Sequence, residues 1–295
     1  MQNVPGRFES RTQGRTGTAT GLARAPQTPM LDLEFAQLSD CGQVRDHNED
    51  YLGHIIPATP EEARRRGWLF ALADGVGGQQ KGEVASRSAV EKILAGFRES
   101  SPGESFLDLL PRLIRAANEH VHETAAASGT GGAGMATTLV ACALRFDRVV
   151  VAHVGDSRCY LVRRGHARAL TRDHTFASEQ VRLGLLSAKE AADVSSRHVL
   201  SRSLGGDLVV AAEISEHLLL PEDMLLLCSD GLHGSVEASE MAAVVSQQTD
   251  LRIAAQRLVA IANQRDGGDN ISVQIIRIRS VERVGMYRGR PYRLR

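Results

Sequence analysis

Four apolar runs in this chain meet an aspartate where they end or begin. WLFALA is followed by Asp74–Gly75, VVVAHV by Gly155–Asp156 and MLLLCS by Asp230–Gly231, while Gly268–Asp269–Asn270 opens ISVQII. An acidic pair, Glu49–Asp50, lies upstream of all of them. A single Asp–Gly after a strand is an ordinary turn signal. Four such sites, each beside a glycine that permits close backbone approach, support a second reading. Adjacent strands tend to end at the same edge of a sheet, so these carboxylates can converge. Like charges brought together raise each other's pKa and repel unless a cation neutralises them. Convergence therefore implies a metal. The candidate ligands are carboxylates and a glycine carbonyl, with no paired His or Cys, which favours the hard octahedral ions Mg²⁺ and Mn²⁺. The number of carboxylates exceeds what one such ion usually takes from protein. Two ions about 3.5–4 Å apart can activate a bridging water and clamp a phosphoryl oxygen. Hydrolysis of a phosphate ester rests mainly on positioning and charge stabilisation. The expected clamp for the phosphate is an Arg, whose planar fork matches phosphate oxygens. Arg45, four residues before Glu49, is the candidate.

The elements that must position these groups follow from periodicity. Leu33–Asp40, Trp68–Ala73, Thr137–Leu144, Val149–Val154, Cys159–Val162, Leu208–Ile214, Met224–Cys228 and Ile271–Ile278 read as strands. Helical spacing appears at Val90, Ile93, Leu94 and Phe97, at Leu110, Leu113, Ile114, Ala117 and Val121, and at Leu251, Ala254, Ala255, Leu258 and Ala262. The polar segment from Thr175 to about Arg197 reads as a short-helical surface flap. Strands come in adjacent runs and helices in adjacent pairs. That order favours antiparallel sheets with helices layered outside over a doubly wound parallel sheet.

A chain of 295 residues with 42% apolar and 24% charged residues can bury a sizeable core. Formal net charge is zero, so nothing global points to nucleic acid or an anionic membrane. No stretch approaches the roughly 20 apolar residues that span a bilayer, and no secretory h-region opens the chain. Cys41, Cys142, Cys159 and Cys228 are widely spaced, against both a zinc site and a disulfide framework. A cytoplasmic location is expected. Residues 1–32 lack aliphatic periodicity and read as a flexible basic arm, and residues 280–295, with five Arg against one Glu, as a loosely held basic tail.

Read in order, GQVRDHNEDY, ALADGVGG, GMATTLV, VAHVGDSRCY, LTRDHT, VLSRSLG, LLLCSDGL and GGDNISV resemble the segments of the metal-dependent protein phosphatases, the PPM or type 2C family, from about residue 33 to residue 279. Each segment alone is modest evidence; the ordered set is specific. GQVRDHNED and DGVGG look like the bacterial branch that opposes eukaryotic-like Ser/Thr kinases. The resemblance implies an α+β fold, a four-layer αββα sandwich of two antiparallel sheets flanked by helices. It implies hydrolysis of phosphoserine and phosphothreonine in proteins by a water bridging two Mn²⁺ or Mg²⁺ ions. Asp74 would bridge the ions and Asp230 and Asp269 complete the first site. Glu49 and the Gly75 carbonyl would hold the second, Asp50 would bond its waters, and Asp156 would help bind a third, weaker ion. Arg45 would hold the phosphate. The partners implied are phosphorylated proteins and a cognate Ser/Thr kinase, and the chain is expected to act as a monomer.

Two positions depart from the family pattern. Val76 stands where eukaryotic members carry a His proposed as general acid, and Ala136 replaces a Gly that strains the strand if its φ must be positive. His47, His153 and His174 lie nearby in sequence and default to structural roles. The competing readings are a non-catalytic module that kept the fold and a regulator specific to one partner protein; the complete acidic set argues against the first.

Overall fold

A computed structural model of the chain describes residues 30–76, 81–127, 135–194, 196–287 and 290–293. The expected arm falls outside the described residues as far as residue 29. Elements are numbered in chain order. One antiparallel sheet runs β1 (Asp32–Asp40), β11 (Ile271–Ser280), β10 (Met224–Cys228), β7 (Arg158–Arg163), β8 (His166–Ala169). The other runs β2 (Asp50–Ile55), β3 (Trp68–Val76), β5 (Leu139–Arg145), β6 (Arg148–Val154), β9 (Glu213–Leu218), with the short β4 (Ala136–Thr137) paired to the end of β3. Helices α2 (Lys81–Glu99) and α3 (Phe106–Ala127) cover the outer face of the second sheet. Helices α7 (Ala238–Gln247) and α8 (Leu251–Arg265) cover the outer face of the first. The result is the expected four-layer αββα sandwich.

Side-chain alternation explains why the central strands read as continuous apolar runs. On β3, Leu69, Ala71 and Ala73 face α2 and α3, while Trp68, Phe70 and Leu72 face the opposite sheet. On β10, Met224, Leu226 and Cys228 face the helices, while Leu225 and Leu227 point between the sheets. A strand covered on both faces has no solvent side on which to place polar residues. Leu69, Ala71, Ala73, Leu139, Ala141 and Ala143 line the helix-facing side of β3 and β5.

Several elements differ from the sequence reading. The strand expected over Leu208–Ile214 begins at Glu213. Leu208 and Val209 are exposed, and the carbonyls of Asp207 and Leu208 accept hydrogen bonds from Asn118 Nδ2 (2.9 and 3.0 Å) instead of joining a ladder. Strand β2 went unread because its polar residues and Gly53 break the alternation; its partner β3 supplies the ladder. Helix α7 is a further element without an expected counterpart. The expected loose tail is held at its start: Val281, Glu282 and Val284 are buried, and Arg64 Nε donates to Glu282 Oε2 (2.7 Å). Arg64 belongs to α1 (Pro60–Arg65). Beyond that, β12 (Val284–Tyr287) and β13 (Arg290–Arg293) form a two-stranded hairpin. The flap is as expected, carrying α4 (Phe176–Arg182) and α5 (Ala188–Asp193), each capped by a hydroxyl from Thr175 or Ser187. Ala136 lies in β4 and is not among the described non-glycine residues with positive φ, so the one-methyl replacement brings no backbone strain.

Phe70 is fully buried between the sheets and meets Phe35 edge-on at 5.2 Å between centroids. We expect Phe70→Ala to cost about 3–5 kcal/mol in urea unfolding. Ile253→Ala, at a half-exposed position of α8, should stay within about 0.5 kcal/mol.

Candidate metal centre

Five strand ends meet at one edge of the sandwich. Asp50, the first residue of β2, is the cross-strand partner of Asp74, near the end of β3. The turn from β6 into β7 contributes Asp156, the residue after β10 is Ser229 followed by Asp230, and Asp269 and Asn270 lead into β11. All the sequence-predicted acidic residues are thus brought to one place. Asp50 and Asp156 are buried, whereas Glu49, Asp74, Asp230 and Asp269 keep part of their surface at the mouth.

The backbone around them is fixed by hydrogen bonds. The Asp74 N–H donates to Thr138 Oγ1 (3.0 Å), and the Asp74 carbonyl accepts from Thr137 Oγ1 and the Thr138 N–H (both 2.8 Å). The Glu49 carbonyl accepts from the Gly75 N–H (3.1 Å) and from Ser86 Oγ on α2 (2.6 Å). A Cβ on Gly75 would lie 2.2 Å from the Gly82 carbonyl oxygen, and one on Gly82 would lie 2.7 Å from the Glu49 carboxylate. Gly75, which would meet backbone, must be glycine for α2 to start here, and a side chain on Gly82 would displace the Glu49 carboxylate.

Asn270 ties the loop carrying Arg45 and Glu49 to β11. Its Oδ1 accepts the Glu49 N–H (2.7 Å), and its Nδ2 donates to the carbonyls of Cys41 and His47 (both 3.0 Å). Ser229 Oγ donates to Asp50 Oδ2 (2.7 Å) and accepts the Ser272 N–H (3.0 Å). Sequence reasoning missed Asn270, Ser229 and Thr138. Each adjoins a recognised motif residue or lies within a quoted segment, but its task is set by partners distant in the chain.

The electrostatics are those of crowded acids. Burial, then the charges of Asp50, Asp230, Asp156 and Asp269, push the Asp74 carboxyl well above the usual range. Burial, and then the charge of Asp269, raise the Asp230 carboxyl beside it. Burial lifts Asp50 to about 7 against hydrogen bonds from Ser272 and Ser229, and lifts Asp156 to about 7 with help from Asp230. Asp50 Oδ1 is buried without a protein partner. Oxygen donors, mutual repulsion and an orphaned carboxylate oxygen all fit a hard divalent cation.

Arg45 is directed to the same mouth, where its Nη2 donates to Asp269 Oδ2 (2.9 Å). From the flap side, His198 Nδ1 comes within 3.9 Å of Asp230 Oδ2. Val76 is exposed at the end of β3. Beside the acids lies a cleft of about 800 Å³, lined by Asp156, Asp230 and Asp269 and by Ala177, Ser178 and Val181 of α4. A second group lies beside this centre. Ligand atoms of His153, His174 and Glu213 fall within 4.8 Å of one another, close enough for one metal ion. His153 Nε2 faces the Arg172 carbonyl (2.8 Å), and Arg172 Nη2 donates to Glu213 Oε2 (3.0 Å). Both imidazoles are held neutral, chiefly by burial, His174 at about 4.

The Protein phosphatase 2C family model matches residues 45–263. The chain belongs to that family. The serine/threonine phosphatase stp of Listeria innocua is 34% identical over 255 residues, 85% of this chain and 96% of its own length. The serine/threonine phosphatase of S. agalactiae superposes with a TM-score of 0.75 at 32% identity, covering 84% of this chain and all of that one. The catalytic domain of PstP, solved in complex with two manganese ions, superposes with a TM-score of 0.72 at 33% identity, over 85% of this chain and 100% of its own. This type 2C phosphatase is a metal-dependent protein serine/threonine phosphatase of the bacterial kind, and phosphorylated proteins are its substrates. Among the described residues no helix is long and apolar enough to cross a membrane.

The raised carboxyls make the metal-free protein sensitive to base. A carboxyl that binds its proton more tightly when folded contributes stability fully present below its unfolded pKa and lost as pH rises through the folded one. For Asp50 and Asp156 that window runs from about pH 4 to beyond about 7. We expect the Tm of EDTA-treated protein to fall between pH 5 and pH 8, and Mn²⁺ to raise it more at pH 8 than at pH 5. Calorimetry showing a metal-free Tm that climbs across this interval, with no response to Mn²⁺, would count against a cation site here.

Proposed function

We propose that Asp74, Asp230 and Asp269 hold one metal ion, and that Asp74, Glu49 and the Gly75 carbonyl hold a second. Asp50 would stand behind them and bond their waters, and Asp156 would serve a third, weaker position. Mn²⁺ or Mg²⁺ is the ion, supported by the all-oxygen donor set and by the two manganese ions of the PstP relative. The observation that carries this reading is Asp74. Burial and the charges of four neighbouring carboxylates hold its carboxyl well above the usual range, an arrangement that a bound cation relieves.

Bound there, the ions would activate a water for attack on phosphorus and neutralise charge on the phosphoryl oxygens. The chain's own residues do the rest. Arg45, half exposed at the mouth, offers its guanidinium to the phosphate, which would compete with Asp269 for it. Thr138, Ser229 and Asn270 keep the acidic backbone in place so that no reorganisation is needed during turnover. The cleft between the acids and α4 admits the peptide around the phosphoresidue. Val76 has no proton to give, so it takes no part in protonating the leaving alkoxide. The enzyme acts as a cytoplasmic monomer opposing a cognate Ser/Thr kinase. A non-catalytic module would retain these crowded acids at a standing cost without using them.

Turnover of phosphothreonine, phosphoserine and phosphotyrosine peptides across a Mn²⁺ titration tests this. We expect metal-dependent release of phosphate from the first two, abolished by EDTA. Asp230→Asn should lower kcat on the order of a hundredfold or more. Activity indifferent to chelation would sink the assignment. Arg45→Ala should raise KM about tenfold with a smaller change in kcat, the mark of lost phosphate binding.

A further inference from the structure

The flap begins and ends at one point of the body. Thr175 and Leu200 form a bridge, and the Phe176 N–H donates to the Val199 carbonyl (3.0 Å). Just before this root, His174 and Gly155 exchange two hydrogen bonds. The His174 N–H donates to the Gly155 carbonyl (3.0 Å), and the Gly155 N–H donates to His174 Nδ1 (3.2 Å). Gly155 precedes Asp156 and has φ +99°, so its amide is oriented by this clamp rather than by a strand ladder. Because Nδ1 accepts, Nε2 carries the ring proton and faces Glu213 Oε2 at 3.5 Å. His153 stacks on the same ring at 4.6 Å between centroids.

Just after the root stands Arg202. Its Nη2 donates to Glu179 Oε1 on α4 (3.2 Å), and its Nη1 lies 3.5 Å from His174 Nε2. Glu179 also accepts from Arg182 Nε through Oε2 (2.8 Å). Nε2 carries the proton and a guanidinium nitrogen can only donate, so Arg202 approaches His174 without a hydrogen bond, and the bond it makes is to the flap helix. Residues of α4 and Asp156 both line the cleft. The guanidiniums of Arg172 and Arg202 already bring positive charge to Glu213 and His174, where an ion in the His153–His174–Glu213 group would have to compete with them.

We infer that Arg202 is a positioning residue that, from the root of the flap, holds α4 over the substrate cleft through Glu179. This rests on the phosphatase reading of the same cleft. A protein substrate, which must lie along α4, feels the flap's position; a small aryl phosphate, which reaches only the metal centre, does not.

The experiment compares 4-nitrophenyl phosphate with a phosphothreonine protein for the full chain and for Arg202→Gln, Arg202→Lys and Glu179→Gln. Both Gln variants should raise KM for the phosphoprotein about three- to fivefold, as befits a partly exposed ion pair. Turnover of the aryl phosphate should stay within a factor of two of the parent, roughly the scatter of a surface change. Arg202→Lys, which keeps the charge, should recover most of the loss. Hydrogen exchange should quicken in α4 in Arg202→Gln and stay unchanged at the amides of Gly155 and Asp156. Equal loss on both substrates, no loss on either, or unchanged exchange in α4 would overturn the inference. A parent protein inactive on both substrates would instead refute the phosphatase reading itself, and the two failures are told apart by that control.

Discussion

Crowding of carboxylates at one end of a sandwich is the constraint from which the rest of the structure follows. Burial first, and then the charges of their neighbours, make the carboxyls of Asp50, Asp74, Asp156 and Asp230 resist ionisation in the absence of a cation. A protein keeps such a cluster only if the scaffold resists the repulsion and a bound ion relieves it. The scaffold does so by taking each acid from the end of a strand whose other residues are locked between two layers. Cross-strand pairing puts Asp50 opposite Asp74 without any contribution from their own side chains. Hydroxyl and amide partners then absorb the backbone groups that the strand ends leave over.

The site divides by rigidity. Candidate metal ligands sit on or beside strands, where position is set to a fraction of an ångström by the core. Loops carry the other groups at the mouth: Arg45 lies between β1 and β2, and the flap between β8 and β9. The flap is still not independent of the rigid part. Its root, His174 and the Asp156 turn share hydrogen bonds.

Legibility in the sequence followed burial. Strands covered on both faces, such as Trp68–Ala73 and Met224–Cys228, announced themselves as apolar runs, and the acids at their ends stood out against that background. Strand β2 did not, because Asp50, Gly53 and His54 interrupt its apolar residues. The stretch Leu208–Ile214 misled for the opposite reason. Its apolar residues resemble a strand, but Asn118 takes the first carbonyls and leaves Leu208 and Val209 in solvent. Asn270 and Ser229 were visible as letters, yet their hydrogen bonds reach across more than forty residues to the Arg45 loop or to Asp50.

From its order of residues alone, the chain determines which acids leave the core beside a glycine, that their donors are oxygen, and that the layers are antiparallel sheets under paired helices. These are local consequences of periodicity and ligand chemistry. Only the tertiary structure decided that Asp74 lies beside Asp230, that Arg45 lies against Asp269, and that Arg202 bonds the flap helix. Such contacts depend on which strand ends are packed side by side, and packing is a property of the whole core rather than of any segment within it.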